Sequence, residues 1–424
     1  MKTIAVIGFG KIGQAIAANI LQHHIRVIAI DINPELLETF QHNTYETKEP
    51  GLKDILTAAH KKNDLILSHD YSIIKGSDCI IITIPLLIDE RQKIQDAPFL
   101  EAIGKIASYA GQKLPIIIET SVPVGFTRQN VLPVIESKGK KHGEDFLLAH
   151  SPERIKSGTM MEQLKRVPKV IAGVNQEATE GAYNAYLHFF DKALLQKLET
   201  VESAEMLKLA GMIYRDVNIA LSNQLAGFAD AAGIDFVKLL PLINTDGEAN
   251  LLQPGIGVGG HCTPVYPYFL IDNFSKTGLD FTLAKQSRLI NNGMADYAVS
   301  LVKGKVQSKK ALILGLGFRP NVKEDALSTT YLLHETLLRD GFEVWVHDTE
   351  FSPEEIKAKG LRPAVDIYDN NVEVVFLVTM HAAYREINFA KLSKSGTKFF
   401  VDGRNRVDKK KVEDAGVLYF GIGH

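Results

Sequence analysis

The chain has 424 residues, 45% hydrophobic and 23% charged, with a formal net charge of −2. This length predicts two or three domains, and the balanced charge gives no basic footprint for nucleic acid or an anionic membrane. Only two cysteines occur, Cys79 and Cys262, which excludes a disulfide framework and a cysteine zinc site, and we expect no metal. We expect no signal peptide before the first strand-like segment, and no membrane span, because no apolar run is long enough to cross a bilayer. We therefore expect a cytoplasmic protein.

A glycine turn near the N-terminus predicts a dinucleotide site. The apolar run at residues 3–8 predicts a buried strand, Gly8-Phe9-Gly10-Lys11-Ile12-Gly13 follows, and a helical pattern leads to a second strand that ends at Asp31. This order is typical of a Rossmann NAD site, in which the glycines let the backbone approach a pyrophosphate. The helix that starts at Lys11 and Ile12 offers amide donors to phosphate. Asp31 would accept from the ribose 2′-hydroxyl and repel a 2′-phosphate, so we expect NAD rather than NADP.

Further βα units follow in the first half of the chain. Residues 78–85, 115–119 and 146–149 predict buried strands, of which the first contains Cys79 as a core residue. Residues just past the carboxyl ends of such strands line the ligand crevice of a doubly wound sheet. This rule selects Ser121, Glu153 and Arg154. The strand at 78–85 ends at the same edge, so Thr83 and Pro85, together with Ser121, are candidate cofactor contacts. Glu153 also fits a simple acidic residue at a helix N-terminus.

Residues 203–232 predict one long helix, longer than a small domain needs. It is a candidate spine between domains and a candidate homodimer surface. Its polar residues either form a solvated face or belong to a site: Glu205, Lys208, Arg215, Asp216 and Asn218.

A turn at residues 254–264 combines Gly255, Gly257, Gly259 and Gly260 with Cys262. Glycines leave no β-carbons between a ligand and the backbone, and a thiol that emerges from such a turn suits presentation to a small molecule. The alternative is a glycine turn with an incidental small hydrophobic residue.

The last third repeats the Rossmann rhythm. A strand at residues 310–318 carries Gly315-x-Gly317 without a third glycine, and the final strand leads to Asp402-Gly403-Arg404. Such a domain fits a nucleotide-bearing substrate better than another NAD, and Arg404 could clamp a diphosphate. The predicted fold is α/β, with two Rossmann-like doubly wound domains joined by a long central helix. The predicted domains are an NAD domain at 1–200, a central helical domain at 201–300 and a domain for a nucleotide-bearing substrate at 301–424.

Over essentially its whole length, the chain resembles the nucleotide-sugar 6-dehydrogenases, the family of UDP-glucose, GDP-mannose and UDP-N-acetylmannosamine dehydrogenases. The resemblance is carried by Ser-Pro-Glu-Arg at 151–154, Tyr-Arg-Asp-Val-Asn-Ile-Ala at 214–220 and Gln-Pro-Gly-Ile-Gly-Val-Gly-Gly-His-Cys at 253–262. These motifs are most similar to the UDP-N-acetylhexosaminuronate branch.

The resemblance implies oxidation of a sugar C6 alcohol to a carboxylate with two NAD and one water. It implies that Cys262 captures the C6 aldehyde and carries the thioester, and that Lys208 stabilises the oxyanion and favours the thiolate. Glu153 would serve thioester hydrolysis, and Ser121 would position water. The same resemblance implies substrate contacts for Glu153, Arg154, Lys208, Arg215, Asn250, Gly257, Gly259, Phe318, Arg319 and Arg404, and a homodimer through the central helix.

Several positions depart from the family pattern. Met212 stands where the family has an Asn one turn after the lysine, and Tyr266 stands where it has an Asp four residues after the cysteine. Methionine donates no hydrogen bond, whereas Tyr266 could take over part of the aspartate's role. The loop arginine that usually reaches the neighbouring subunit's substrate in the family is missing, since Asp246-Gly247-Glu248 stands in that region. The family also carries an Arg-Glu-Ser run after Phe-Lys-Pro-Asn, here Phe318-Arg319-Pro320-Asn321, and Ala326-Leu327 interrupts it. These departures predict an altered substrate or step count.

Three alternatives stay open. The first is a dehydrogenase that stops after two electrons or acts on an unusual sugar. The second is an inactive sensor of NAD or a nucleotide sugar, which would bind cofactor without turnover that depends on Cys262. The third is a 3-hydroxyacid dehydrogenase, which would not need the Gly/Cys turn or the second α/β domain.

Overall fold

The computed structural model describes residues 1–89, 91–369 and 371–424. The chain forms two compact units, and their boundary falls within one long helix. The first unit comprises Met1–Gly211 with Tyr268–Asn273, and the second comprises Met212–Pro267 with Phe274–His424. The division into three domains at 201 and 301 stays a prediction. In the described part of the chain, no helix has both the length and the hydrophobicity needed to cross a membrane.

The first unit is built on a sheet whose strands are short and apolar. The strands of this unit are β1 (Thr3–Ile7), β2 (Arg26–Ile30), β3 (Leu65–Ser68), β4 (Cys79–Ile82), β5 (Leu87–Ile88), β6 (Ile94–Gln95), β7 (Leu114–Ile118), β8 (Phe146–His150), β9 (Lys169–Gly173) and β10 (Leu195–Lys197). Of these, β5 and β6 form a separate two-stranded antiparallel sheet. Its helices are α1 (Lys11–Gln22), α2 (Pro34–Gln41), α3 (Leu52–Lys61), α4 (Ala97–Ala107), α5 (Leu132–Glu136), α6 (Met160–Gln163) and α7 (Gln176–Tyr186).

The strand order in this sheet is β10-β9-β8-β7-β4-β1-β2-β3. From β3 to β8 all pairs are parallel, which reproduces the Rossmann order 3-2-1-4-5-6. The carboxyl ends of these strands therefore share one edge of the sheet. The strand β9 reverses direction and pairs antiparallel with β8, so its first residue, Lys169, also lies at that edge.

The helix α8 (Val201–Ala232) has 32 residues, about 48 Å at 1.5 Å per residue. It confirms the helix predicted at 203–232. The alternative of a solvated polar face is wrong for most of that set, because Glu205, Lys208, Asp216 and Asn218 are all buried. Arg215 is exposed.

The second unit holds another doubly wound sheet. Its strands are β11 (Lys310–Leu314), β12 (Glu343–His347), β13 (Val374–Leu377), β14 (Phe399–Asp402) and β15 (Leu418–Gly421). Its helices are α9 (Phe236–Ile243), α11 (Thr282–Ser300), α12 (Thr329–Arg339), α13 (Pro353–Ala358), α14 (Phe389–Lys394) and α15 (Lys409–Glu413), and α10 (Tyr266–Lys276) carries residues of both units. All strand pairs are parallel in the order β12-β11-β13-β14-β15. This is the 2-1-3-4-5 variant of the doubly wound fold, which binds ligands at the same edge.

Candidate active site

The glycine turn of the first unit is shaped by close packing. Gly8 has φ +90°, and a β-carbon on it would lie 2.9 Å from the backbone nitrogen of Ile84. A β-carbon on Gly13 would lie 2.0 Å from the carbonyl oxygen of Gly8. At Gly10, by contrast, a β-carbon would meet no protein atom within 4 Å. The first and third glycines are therefore required by the fold, while the second faces open space.

That open space fits the pyrophosphate of NAD. Gly10 caps α1 without a side-chain hydrogen bond, and the first turn of α1, which begins at Lys11 and Ile12, contains no acidic residue. Amide donors and the positive end of the helix dipole are thus left for an anion. The Asp31 carboxylate accepts from the backbone N–H of Phe9 at 2.6 Å and of Asn33 at 2.9 Å. The acid predicted for the ribose is therefore held directly beside the glycine turn.

Hydroxyl groups connect this turn to the neighbouring strand ends. Thr83 donates to the carbonyl oxygen of Gly8 at 2.6 Å, and Thr120 donates to that of Ile84 at 2.6 Å. Ser121, next in the chain, is buried, whereas Pro85 is exposed. The structure thus brings the glycines, Asp31 and Thr83 together.

Glu153 follows β8 and is buried. One carboxylate oxygen accepts from the backbone N–H groups of Arg154 at 2.6 Å and Ile155 at 3.0 Å. The other lies 2.6 Å from the ammonium of Lys169. Burial opposes its ionisation, but Lys169 and the amides outweigh burial and hold the pKa of Glu153 below its usual value. The guanidinium of Arg154 donates to the carbonyl oxygen of Pro168.

Lys208 lies on the first half of α8 and is 9% exposed. One turn earlier, Glu205 accepts from the backbone N–H groups of Gly125 at 2.5 Å and Thr127 at 2.9 Å. Arg128 in the same loop pairs with Glu202 at 2.6 Å. These contacts fasten the start of α8, and with it Lys208, to the loop that contains Ser121.

In the second unit, the Gly/Cys turn lies on the carboxyl edge of the sheet. The N–H of Ile256 donates to Gly403, which follows β14, at 3.0 Å, and the N–H of Gly260 donates to Ala326 at 2.9 Å. A β-carbon on Gly259 would lie 2.8 Å from that of Phe318. A glycine is needed here because the turn packs against the loop after β11, a reason that complements the predicted approach of a ligand.

Asparagines on α8 hold the segment that precedes this turn. Asn218 donates to the carbonyl oxygen of Asn250 at 2.8 Å and accepts from the N–H of Leu252 at 2.7 Å. Asn223 accepts from the N–H of Gly255 at 2.9 Å. The turn that carries Cys262 is therefore fixed from both the helix and the sheet.

The other predicted substrate residues of this unit differ in their surroundings. Arg404 donates from Nε to Val378 at 2.6 Å and from one terminal nitrogen to Gly257 at 3.3 Å, and burial lowers its pKa to about 10. A β-carbon on Gly257 would lie 2.9 Å from the carbonyl oxygen of Asn291. Phe318 and Arg319 are partly exposed, and Asn250, like Arg215, is exposed.

Cys262 is partly exposed, and its carbonyl oxygen accepts from the N–H groups of Val265 and Tyr266. Tyr266 is the first residue of α10. The other cysteine, Cys79, is fully buried, and burial raises the pKa of its thiol. This confirms Cys79 as a core residue.

In the second glycine turn, a neighbouring carboxylate already accepts from the backbone N–H groups, whereas the start of α1 has no side-chain cap. The Asp348 carboxylate accepts from the N–H groups of Leu316 at 2.6 Å and Gly317 at 2.9 Å. The helix after this turn starts only at Thr329, and its N-terminus is capped by the Ser328 side chain. Thr330 in the first turn of this helix donates to the carbonyl oxygen of Gly315 at 2.5 Å, so the helix contacts the turn through a side chain and not through a third glycine.

No metal centre accompanies these groups in the described residues, where no His, Cys, Asp or Glu cluster is arranged to hold an ion.

Comparison with known proteins decides the family. Three domain models match in order: the NAD binding domain of the UDP-glucose/GDP-mannose dehydrogenase family at residues 2–190, its central domain at 202–293 and its UDP binding domain at 312–409. The chain belongs to this family. It is therefore an NAD-dependent oxidoreductase of the nucleotide-sugar dehydrogenase class, as the resemblance predicted.

Relatives within the family align over nearly the full chain. A UDP-N-acetyl-D-mannosamine dehydrogenase from Pyrococcus horikoshii is 29% identical and covers 99% of each chain, and protein CapL from Staphylococcus aureus is 30% identical over 91% of each. The solved structure of the P. horikoshii UDP-D-ManNAc dehydrogenase superposes with a TM-score of 0.88 at 26% identity over 99% of each chain. That of Cap5O from S. aureus gives 0.84 at 26% identity over 100% and 99%.

Sequence reasoning missed the buried partners of Glu153. Lys169, Glu119 and Tyr186 form one polar cluster with it. The available signal was weak: a lysine directly before the apolar run Val170-Ile171-Ala172, and an acid at the end of a buried strand. Either pattern also fits solvated strand ends.

Proposed function

We propose that the chain oxidises the C6 alcohol of a UDP-N-acetylhexosamine or UDP-hexose to the uronate, with Cys262 as the nucleophile. One observation carries the proposal. The turn that bears Cys262 is bonded to the carboxyl edge of the sheet in the UDP binding domain, through Gly403 and Ala326. Nucleotides bind at this edge in doubly wound folds, so a sugar attached to the nucleotide would extend towards the thiol.

NAD, when bound, would supply the hydride acceptor for each of the two oxidations, one NAD per step, and the hydroxyl proton of each step would pass to water. The Cys262 thiol adds to the C6 aldehyde, with its proton moving to the aldehyde oxygen, and oxidation of the resulting thiohemiacetal gives a thioester. Lys208 stabilises the oxyanion at C6. Glu153 takes a proton from the water that attacks the thioester, so that the new C–O bond replaces the C–S bond and Cys262 leaves as a thiolate.

The proposal also assigns binding roles. Gly8, Gly10 and Gly13 with the start of α1 hold the cofactor, and Asp31 selects NAD. Arg404, Phe318 and Arg319 hold the nucleotide of the substrate, and Asn250, Gly257 and Gly259 border the sugar. Arg154 and Arg215 complete the set of substrate contacts, and Ser121 positions water.

A second candidate is a two-electron dehydrogenase that releases the aldehyde. The observation that favours it is the replacement of two family residues by Met212 on α8 and Tyr266 on α10. Losing one oxyanion donor costs roughly 10²- to 10³-fold in rate in characterised enzymes. If it holds, Met212→Asn with Tyr266→Asp should restore full oxidation.

The deciding experiment counts NADH released per molecule of UDP-, GDP- and dTDP-sugar. Wild type is compared with Cys262→Ala, and Cys79→Ala serves as the matched cysteine control. Two NADH per sugar, lost only in Cys262→Ala, supports the full reaction. One NADH with an aldehyde trapped by hydroxylamine supports the two-electron candidate. Cofactor binding without NADH from any of these sugars would contradict both.

The assembly proposed with this function is a homodimer through α8, in the cytoplasm. From near its middle onward, α8 exposes an apolar stripe at helical spacing: Tyr214, Leu221, Leu225 and Phe228. An exposed stripe of this kind marks an interaction surface. Light scattering should give twice the chain mass, and Leu221→Asp with Phe228→Asp should reduce it to one. A monomeric wild type would contradict the dimer.

A further inference from the structure

Three charged side chains meet at the carboxyl edge of the first sheet because one strand is reversed. Glu119 follows β7 and Glu153 follows β8, and these strands are parallel. The strand β9 pairs antiparallel with β8, so Lys169 at its start comes to the same edge. A parallel strand would have placed Lys169 at the opposite edge.

The ammonium of Lys169 lies between the two carboxylates. It is 2.9 Å from Glu119 and 2.6 Å from Glu153, and all three side chains are less than 9% exposed. The rings of Tyr186 and Phe190 lie 5.6 and 5.7 Å from the same ammonium, a favourable distance for a cation and an aromatic face. The Tyr186 hydroxyl donates to Glu119.

This cluster leaves Glu153 a single orientation. Its first oxygen is held by two backbone amides and its second by Lys169. A buried carboxylate without a counter-charge would take up a proton rather than stay ionised. Lys169 is one cation shared by two buried acids. Its removal would therefore force at least one of the two carboxyl groups to become neutral.

The pKa shifts in the cluster indicate which of the two acids takes up a proton more readily. Burial raises the pKa of Glu119, whereas Lys169 and the amides hold that of Glu153 below its usual value. Burial lowers the pKa of His150 to about 3, so this imidazole is neutral. The groups that face the cluster from β4, β7, β8 and α7 are Cys79, Glu119, His150, Glu153 and Tyr186.

We propose that Lys169 is a positioning residue for Glu153: the ammonium fixes the Glu153 carboxylate in one orientation and keeps it ionised, ready to accept a proton from water. This role rests on the proposed function, in which Glu153 serves thioester hydrolysis. Glu119 is the balancing acid, which takes the proton when the cluster holds one.

The test compares Lys169→Met, Lys169→Arg and Lys169→Met with Glu119→Gln. The control is Lys197→Met, which removes a lysine that pairs with Glu180 at the surface of the same unit. In Lys169→Met we expect kcat to fall about 10²-fold, with a burst of about two NADH per chain before slow turnover, because the thioester accumulates. The acid limb of the pH profile should rise by about one to three pH units, the usual effect of losing an opposite charge.

Lys169→Arg should restore the acid limb, and adding Glu119→Gln to Lys169→Met should recover part of kcat, because the like charge is removed. If Lys169→Met slowed the oxidation steps as much as hydrolysis, so that no burst appeared, the role of Lys169 would be overturned. An unchanged pH profile would also overturn it. NADH fluorescence and circular dichroism confirm that each variant is folded.

A readout that does not need turnover separates this role from the proposed function. Carbon-13 NMR of labelled glutamates should show Glu153 ionised below its usual range in wild type and titrating higher in Lys169→Met, with Glu153→Gln as the assignment control. An inactive wild type with this shift would contradict the proposed function alone. An active wild type without the shift would overturn the role of Lys169.

Discussion

The imidazole Nε2 of His381 lies 3.0 Å from Oδ2 of Asp348, and both side chains are buried. The same oxygen accepts from the amides of Leu316 and Gly317. Asp348 occupies the position that Asp31 holds in the first unit, at the end of the second strand of the fold. Its carboxylate is thus fully used inside the protein, whereas Asp31 is partly exposed.

From this difference we expect one NAD per chain. The second glycine turn offers neither the amides nor the acid that a dinucleotide needs. Isothermal titration of wild type should give one site, and Asp31→Ala should abolish it. A second site that survives Asp31→Ala would show that the turn at Gly315 also binds the cofactor.

The exposed glycine and the packed glycine of the first turn, Gly10 and Gly13, can be tested separately. Gly10→Ala places a methyl group in open space, so we expect stability to change by less than about 1 kcal/mol and NAD affinity to fall. Gly13→Ala places it against the Gly8 carbonyl, and overpacking of this kind costs about 1–3 kcal/mol. Urea denaturation and NAD titration distinguish the two. Equal stability losses would contradict the packing argument.

Because Glu205 is buried, we expect the free energy of unfolding to fall as pH rises. Burial raises its pKa from 4.5 to about 7, so between these values the native chain holds a proton that the unfolded chain has lost. The stabilisation is complete below about pH 4 and is lost as pH rises through 7, by at most roughly 3 kcal/mol. Denaturation from pH 4 to 8 should show this decline in wild type and not in Glu205→Gln. Glu202→Gln, on the same helix, should retain it.

The turn that carries Cys262 should tolerate no added methyl group at Gly259. A β-carbon there meets Phe318 and the carbonyl oxygen of Leu327 at 2.8 and 2.9 Å, so Gly259→Ala should destabilise by about 1–3 kcal/mol and reduce turnover. The control is Gly293→Ala on α11, which meets nothing within 4 Å and should stabilise by about 0.5–1 kcal/mol. Thermal unfolding decides, and similar shifts for both would contradict the close packing.

Much of the fold could be predicted from local patterns. The strand ending at Asp31, the helix at 203–232 and the second α/β domain were all encoded in hydrophobic spacing and glycine turns. Strand order and direction were not, because the pairing of distant segments leaves no local trace. The reversal of β9, and with it the position of Lys169, was therefore invisible.

The candidate site shows the same limit. Motifs identified Cys262, Glu153 and the NAD turn, since each stands at a loop whose residue types are unusual. Periodicity could not show that Glu205 and Asp216 are buried, because α8 is covered on more sides than a surface helix. The hydrogen bonds that occupy the Asp348 carboxylate also include His381, which is 33 residues away in the chain.

The burial of Cys79 has a practical consequence for spectroscopy. Its thiol has no exposed surface, so a maleimide dye should modify Cys262 alone in the native chain, and mass spectrometry should find the second adduct only after unfolding. The wild-type protein is thus ready for single-site labelling, and a fluorophore at Cys262 would report ligand arrival without any engineered cysteine.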